Sequence, residues 1–566
     1  MKNKKTLLIP LSLGLTFILV WTRFTGIQWG LPYLYHPDER NIAVAITGLS
    51  PASWYRPDFY AYGQLLLYLG YVVAWVINII IKDRSGIVSL GMATLALRIL
   101  SAVSACITAI FVVRIMKFIR PHSLRVLIVV CLITIFCPAI IQFAHFGTTE
   151  SILMASYTAL TYYSLLYFEN KRLRHIGASG VALGLAAAAK ISAGIFALLP
   201  LLLLIFSFRG SVRQRIKRIM HLIFFGLVAT SVFIIASPYN ILSFGDFRGA
   251  INYESAVALG TTIPFYTRQF VSTVPVFFQF TRVFPYALGW GIFIFFLIGF
   301  VILPRDKNTN ILRLAFLTYF IPTAFLYAKW SRFMAPAFPI AIIIAALVLD
   351  YLYDKLREFK KIKEISFFSF WVLIAILCLP GIAYLHIYQV PDVRVQSSRW
   401  IYEHIPAGSN ILFETANVVD IPVQSSKLKV QNYQTTSFDF YSLDSDDILV
   451  GELKKHIEDA DYIFVPSRRI FADHTCLNPD GRLGTFSIFN GHSKSRCDRL
   501  EKEYPRLNEY YRKLFSGNLG FVQVAKFTSY PTINFLNNKL FEQKDEEAEE
   551  TWTVFDHPVI RIYKRV

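Results

Sequence analysis

Cysteine is scarce, with six residues in a chain of 566. That is too few for a disulfide scaffold, and no cysteines have zinc-finger spacing. Cys106, Cys131, Cys137 and Cys378 lie in apolar runs and read as inert packing residues. Acidic residues are also few, 38 against 57 lysines and arginines, for a net charge of +19. The basic residues fall in short clusters between apolar runs, a pattern of membrane topology and not of nucleic-acid binding. No Gly-rich phosphate loop of the P-loop or Rossmann kind is present, and no internal repeat is apparent. What abounds is apolar surface: 54% hydrophobic and 16% aromatic residues. An ordinary soluble domain is excluded, and a multi-span membrane protein is indicated.

The first apolar run, Thr6 to Trp21, follows Lys2, Lys4 and Lys5 and has no small-residue cleavage site after it. It reads as a retained span with a cytosolic N-terminus. Ten further spans are expected at Met92–Phe118, Val126–Ala144, Ile152–Phe168, Ile176–Ala189, Ile191–Phe208, Ile219–Ala236, Tyr286–Leu303, Ile311–Tyr327, Phe333–Leu352 and Phe367–Tyr388. The two flanking Lys190 are short and need not cross fully. Leu65–Ile81 decides the topology. If it spans, the cluster of Arg114, Lys117, Arg120 and Arg125 falls outside. If it lies along the outer surface, that cluster falls inside. The clusters around Arg172, Arg209 to Arg218, Arg305 to Arg313 and Lys355 to Lys363 then fall inside too. The positive-inside bias selects an interfacial or re-entrant helix on the outer face. About eleven spans then place the remainder outside.

The expected fold is therefore mainly α: a polytopic bundle over residues 1–389 with outer-face interfacial helices. Outer loops fall at about 24–91 and 237–285. The tail, 390–566, changes character. Strand-like runs (Asn410–Glu414, Tyr462–Pro466, Phe521–Phe527, Trp552–Tyr563) alternate with helix-like ones (Ser398–His404, Pro505–Phe515), as in a small extracytoplasmic α/β domain. There Cys476 and Cys497 would meet an oxidising compartment and could pair. Asp556-His557-Pro558 reads as a turn between strands.

The chain is organised around His36-Pro37-Asp38-Glu39-Arg40, just after the first span. Pro37 disfavours helix before it, and the residues from Asp38 onward read as a short helix with an acidic first turn. A carboxylate held beside an apolar wall at a membrane surface is a candidate general base. On this topology Arg56, Arg98, Lys190, Lys329 and Arg332 open toward the same face, with Glu150 and His145 near them. Lys190 ends the small-residue run Gly184–Ala189, where tight helix packing is expected and an ionisable group is a functional hypothesis. Tyr60, Tyr62 and Gln64, at the start of the interfacial helix, are expected to line the pocket. Cations around one carboxylate suit a leaving group that departs as an anion and needs one base. Moving a sugar from a lipid-linked phosphate onto a hydroxyl is such a reaction.

These motifs, in this order, resemble the GT-C glycosyltransferases, which include protein O-mannosyltransferases and the bacterial enzymes that add aminoarabinose to lipid A. The resemblance covers most of Thr6 to Tyr388. His36-Pro37-Asp38-Glu39 resembles the family's acidic first-loop motif, which implies Asp38 as base with Glu39 beside it. Tyr55-Arg56-Pro57, Leu97-Arg98, Gly184 to Lys190 and Arg332-Phe333-Met334-Ala335-Pro336 resemble its cation-bearing elements. His145-Phe146-Gly147-Thr148-Thr149-Glu150 departs from a segment that usually ends in Asp. The resemblance implies a polyprenyl-phosphate sugar donor, inversion at the anomeric carbon and a plasma-membrane site facing outward. The acceptor would be a lipid, glycan or protein. Members differ in metal use, so Asp38 and Glu150 stay candidate ligands of a divalent ion, although none is required. The alternatives are a lipid or sugar transporter and a non-catalytic scaffold. A transporter usually places charges at the midplane of repeated halves, and neither feature is seen here.

Overall fold

The computed structural model describes residues 2–81, 87–206, 211–358, 363–415, 419–423, 432–477, 479, 494–536 and 538–566. Of the basic clusters, Arg209, Lys360 and Lys361 lie outside the described residues. The described residues up to Tyr388 are mainly helical. The helices are α1 Lys2–Phe24, α2 Pro37–Thr47, α3 Gln64–Ile80, α4 Leu90–Ile119, α5 Leu124–Ile135, α6 Pro138–His145, α7 Glu150–Asn170 and α8 Leu173–Ala189. They continue as α9 Leu198–Phe206, α10 Val212–Ala236, α11 Tyr239–Leu242, α12 Phe244–Leu259, α13 Phe284–Leu288, α14 Trp290–Ile302, α15 Lys307–Ala324, α16 Phe338–Arg357 and α17 Lys363–Leu385.

Every expected span is helical within the described residues, but not every one is straight or long. Four helical stretches, Leu90–Ile119, Val212–Ala236, Ser331–Arg357 and Phe367–Tyr388, are long and apolar enough to cross a bilayer. Two bent pairs bring the number to six. The first bends by 48° between α5 and α6, where Pro138 starts a new helix. The second bends by 116° ahead of α14, so Tyr286–Leu303 is not one straight span. Gly289 sits there at φ +80°, a conformation that favours glycine. The expected interfacial segment is α3, whose 17 residues reach only about 25 Å. One face of α3 packs on Ile46 and Leu97, and Val72, Trp75 and Ile79 are exposed on the other.

The small-residue run of α8 packs as its composition predicts. A Cβ on Gly184 would lie 2.6 Å from the Ala229 carbonyl oxygen and 2.7 Å from Val232, so α8 and α10 touch backbone to side chain. Helix α16 is the most buried of the four long apolar helices, with Ile340 to Leu349 all buried. It forms the bundle axis against α5, α14 and α7.

The tail folds around a five-stranded sheet. Its strands are β1 Asn410–Glu414, β2 Gln434–Phe438, β3 Tyr462–Val465, β4 Phe521–Phe527 and β7 Ile560–Arg565, in the order β2-β1-β3-β7-β4. β1 runs parallel to β2 and β3, and β7 runs antiparallel to β3 and β4. A separate hairpin joins β5 Thr532–Phe535 and β6 Asn538–Glu542. Helices α18 Val393–His404, α19 Asp447–Asp459, α20 Arg469–His474, α21 Lys494–Glu503 and α22 Pro505–Ser516 surround them. Cys476 and Cys497 form a disulfide with Cα atoms 5.6 Å apart. The run Trp552–Tyr563 is only partly strand. Its start is helix α23, Glu550–Val554, capped by the Glu549 side chain, which accepts from Thr551 N at 3.0 Å.

The tail is docked on the bundle by buried polar groups. Asp556 accepts from Tyr384 and Tyr388 hydroxyls at 3.0 and 2.8 Å and from Gln142 at 3.2 Å. His557 bridges Asp556 (2.5 Å) and Asp545 (2.9 Å). Burial works against charge on His557, but the two aspartates outweigh it and push its pKa up to about 10. The expected turn is therefore also a charged anchor that seats the tail.

Candidate active site

Helix α2 begins the site. His36 caps it, its Nδ1 accepting from Asp38 N at 3.2 Å, and its ring packs between Phe146 and Phe555 at 4.8 and 4.4 Å. Burial lowers the His36 pKa and keeps the ring neutral, as an accepting Nδ1 requires. The cap aims Asp38 at Arg332, and the two form an ion pair. Arg332 sits in the tight turn Ser331–Ala337 ahead of α16, its guanidinium 4.6 Å from the Trp330 ring. Burial alone would raise the Asp38 carboxyl. Arg332 outweighs it, aided by His36, Lys190 and the Tyr62 hydroxyl, so Asp38 lies below the usual carboxylate range.

Lys190 closes the second side. It stands where α8 ends, and its ammonium is 5.2 Å from both the Tyr62 and Phe333 rings and 4.0 Å from Glu150 Oε1. Gly63 makes this arrangement fit. Its N–H donates to Ala189 O at 2.9 Å, and a Cβ there would meet the Ala188 carbonyl oxygen at 2.0 Å. Only a glycine lets the Tyr62 loop come so near the end of α8.

Asp38, Tyr62 and Arg332 line a cavity of about 480 Å³. The same cavity is lined by Tyr253 and Glu254 from α12 and by Arg469, Thr551 and Phe555 from the tail. Burial raises the Glu254 carboxyl, and Asp38 adds to the shift against Lys190 and Arg332. Glu549 ties tail and bundle together beside the cavity. It accepts from Ser331 N and from Gln269 Nε2, each at 2.9 Å. Among the described residues no three His, Cys, Asp or Glu side chains gather to hold a metal ion.

Residues 70–235 match the family model of dolichyl-phosphate-mannose-protein mannosyltransferases. Over those residues the chain is similar to that family of membrane glycosyltransferases. Solved structures that the chain resembles include ArnT from Cupriavidus metallidurans bound to undecaprenyl phosphate. It is 12% identical with TM-score 0.49, covering 80% of this chain and 92% of that one. The Archaeoglobus fulgidus oligosaccharyltransferase tethered to an acceptor peptide is 12% identical with TM-score 0.41, covering 81% and 70%. The mycobacterial arabinofuranosyltransferase AftD is 10% identical with TM-score 0.39, covering 97% and 41%. No curated protein gives a significant sequence match.

The expected residues divide into two groups. Asp38, His36, Tyr62, Lys190, Glu150 and Arg332 come together. Glu39 and Arg98 pair with each other instead. Arg98 Nε and Nη2 each donate to Glu39 at 2.8 Å, and Nη1 reaches Trp29 O at 2.6 Å and Ile27 O at 3.2 Å. Glu39 Oε1 also accepts from Gly147 N at 2.7 Å. At 2% and 0% side-chain exposure, this pair is an internal brace with no donors turned to the cavity. Arg98 is thus turned away from the cavity, and both Glu39 oxygens are engaged by Arg98, one of them also by Gly147 N.

Other expectations are corrected in the same way. Lys329 is buried, and its Nζ donates to Tyr327 O at 3.0 Å. Burial pulls its pKa down to about 8. Arg56 is half-exposed and pairs with Asp58 and Asp246 at 2.8 and 3.0 Å. Gln64 is fully buried, its amide bonded to Asn240 Oδ1, Ser237 Oγ and Tyr239 N, so it anchors α3 and does not line the cavity. Tyr60 is also buried outside the cavity wall. His145 stacks on Tyr388 at 3.8 Å, its ring nitrogens 2.8 and 2.7 Å from the Ile141 and Thr25 carbonyl oxygens. Sequence reasoning missed Glu254, Arg469, Thr551 and Phe555. Glu254 alone left a signal, as an acid on a short helix within a long outer loop.

Proposed function

We propose that this protein transfers a sugar from a polyprenyl-phosphate donor to an acceptor hydroxyl, with inversion at the anomeric carbon. The observation that carries this reading is Asp38 in the cavity wall, ion-paired to Arg332 and adjoining Lys190 and Tyr62. The acceptor oxygen bonds to the anomeric carbon as its proton passes to Asp38. The bond from that carbon to the phosphate oxygen breaks, and polyprenyl phosphate leaves with the electron pair. The departing anion gains charge, which cations stabilise without a general acid.

Arg332 links the two halves of the reaction. Before donor binding it holds Asp38 ionised and weakly basic. A phosphate in the cavity competes for its guanidinium, and release raises the basicity of Asp38 as donor arrives. Lys190 then adds a second positive charge on the phosphate side. Glu150 stands behind Lys190 and positions it. The reading places the tail and cavity outside the plasma membrane, with the N-terminus in the cytosol. The acceptor is a lipid, glycan or protein hydroxyl.

Mass spectrometry of lipids co-purified with the full-length protein tests the donor class. A polyprenyl-phosphate sugar is expected, together with movement of its label onto an acceptor. Label that crosses between leaflets with its lipid unchanged would mark a transporter.

A further inference from the structure

The tail supplies part of the cavity wall, and one of its residues is out of place for a purely structural role. Arg469 lies at the start of α20, lines the cavity and is 12% exposed in its side chain. Its Nε is 3.1 Å from Glu550 Oε1, and its guanidinium lies 5.7 Å from the Phe555 ring centre. Among the described residues no oxygen accepts a well-aligned hydrogen bond from that guanidinium, and its Nε is a buried donor without one. The neighbouring Arg468 shows the contrast, donating to Ala548 O, Glu549 O and Thr553 Oγ1 at 2.8, 3.0 and 3.1 Å. Arg468 holds the backbone ahead of α23, whereas the Arg469 guanidinium pairs with Glu550 and makes no such backbone bonds among the described residues.

Arg469 comes from the tail, whereas Arg332 and Lys190 come from the helical bundle. Lys190 stands 5.2 Å from the ring of Tyr62, itself part of the cavity wall, and Arg332 lines the cavity with Asp38. Arg469 enters from the tail, on the wall that Thr551 and Phe555 share. A guanidinium is a planar fork that matches carboxylate and phosphate oxygens. We propose that Arg469 forms a second anion subsite in this cavity, which holds a phosphate or carboxylate group of the acceptor while Lys190 and Arg332 hold the donor phosphate. The assignment of its ligand rests on the transferase reading above. Burial raises the pKa of Glu550 to about 7 against the pull of Arg469.

The test uses the full-length protein in detergent micelles, with undecaprenyl phosphate and inorganic pyrophosphate as probes, titrated by calorimetry. Wild type is expected to bind pyrophosphate with undecaprenyl phosphate already saturating. Arg469→Gln should weaken pyrophosphate by about tenfold or more, as loss of charge-assisted hydrogen bonds does, and Arg469→Lys should fall between. Undecaprenyl phosphate should bind Arg469→Gln within about twofold of wild type, which also shows that the variant is folded, and should bind Lys190→Met about tenfold more weakly. Equal pyrophosphate affinity in wild type and Arg469→Gln would overturn the subsite. Loss of undecaprenyl phosphate binding in Arg469→Gln to the extent seen in Lys190→Met would move Arg469 to the donor and overturn it as well. If wild type bound no undecaprenyl phosphate, the transferase reading would fail. Pyrophosphate titrated alone would still decide whether Arg469 holds an anion.

Discussion

Replacing Glu39 by Gln removes one charge from the pair it forms with Arg98 while keeping the side chain's shape. Four short contacts are at stake: two from Arg98 to Glu39, one from Gly147 N to Glu39 and one from Arg98 to Trp29 O. Both side chains are almost wholly buried, so solvent cannot replace what is lost. Breaking such a pair from one side costs about 3–5 kcal/mol, because the remaining charge is left uncompensated. Arg98→Met should cost a similar amount. The double variant should cost clearly less than the two singles together, since it leaves no unpaired charge. Unfolding of the purified protein in detergent micelles, followed by intrinsic fluorescence, reads these differences. Undecaprenyl phosphate affinity, measured on the folded fraction, should change little in any of the three. Wild-type stability in Arg98→Met, with undecaprenyl phosphate binding lost, would refute the brace and return Arg98 to the donor site.

Other expectations follow from the same geometry. Lys190→Met should fold and bind undecaprenyl phosphate more weakly by about 1.5 kcal/mol, roughly tenfold, measured by calorimetry. Cys476→Ser should destabilise the tail by about 3 kcal/mol, the chain-entropy value for bridging residues 21 apart, read as a lower unfolding temperature of the oxidised protein. Glu550 has a folded-state pKa raised to about 7, so its proton-linked stability is present below about 4.5 and lost as pH rises through 7. Glu550→Gln should flatten that decline in a stability–pH series. Asp38 has the opposite sign. Its folded-state pKa is depressed, so its linked stability is present above the ordinary carboxylate pKa and lost as pH falls through the lower folded-state value. Arg332→Gln should move that loss to higher pH.

The helices were legible because apolar runs and basic clusters are local features of the sequence. The N-terminal turn of α2 was legible for the same reason, since His36, Pro37 and Asp38 set cap, first helical residue and acidic turn within three positions. Partners were not legible. Arg98 and Lys190 look alike in sequence, each a cation near the end of an apolar run. What separates them is that Glu39 reaches Arg98 with both oxygens, while Glu150 stands 4.0 Å from Lys190. Contacts between Ser331 and Glu549, or between Gln142 and Asp556, join segments hundreds of residues apart and leave no periodicity behind. Trp552 to Phe555 are good strand formers by composition. The Glu549 cap and burial of Trp552 against Tyr384 make them helix and turn instead.

Sugar transfer by Asp38→Asn tests the central claim most directly. The substitution keeps the side chain's shape and its place near Arg332 but removes its basicity. With labelled native donor and the full-length protein, turnover should fall by about 10²–10⁴-fold, the usual contribution of a general base. Undecaprenyl phosphate affinity should stay within a few-fold of wild type, and Glu150→Gln should lose far less activity. Near-normal transfer by Asp38→Asn, with Glu150→Gln inactive, would contradict the account and assign the base to Glu150.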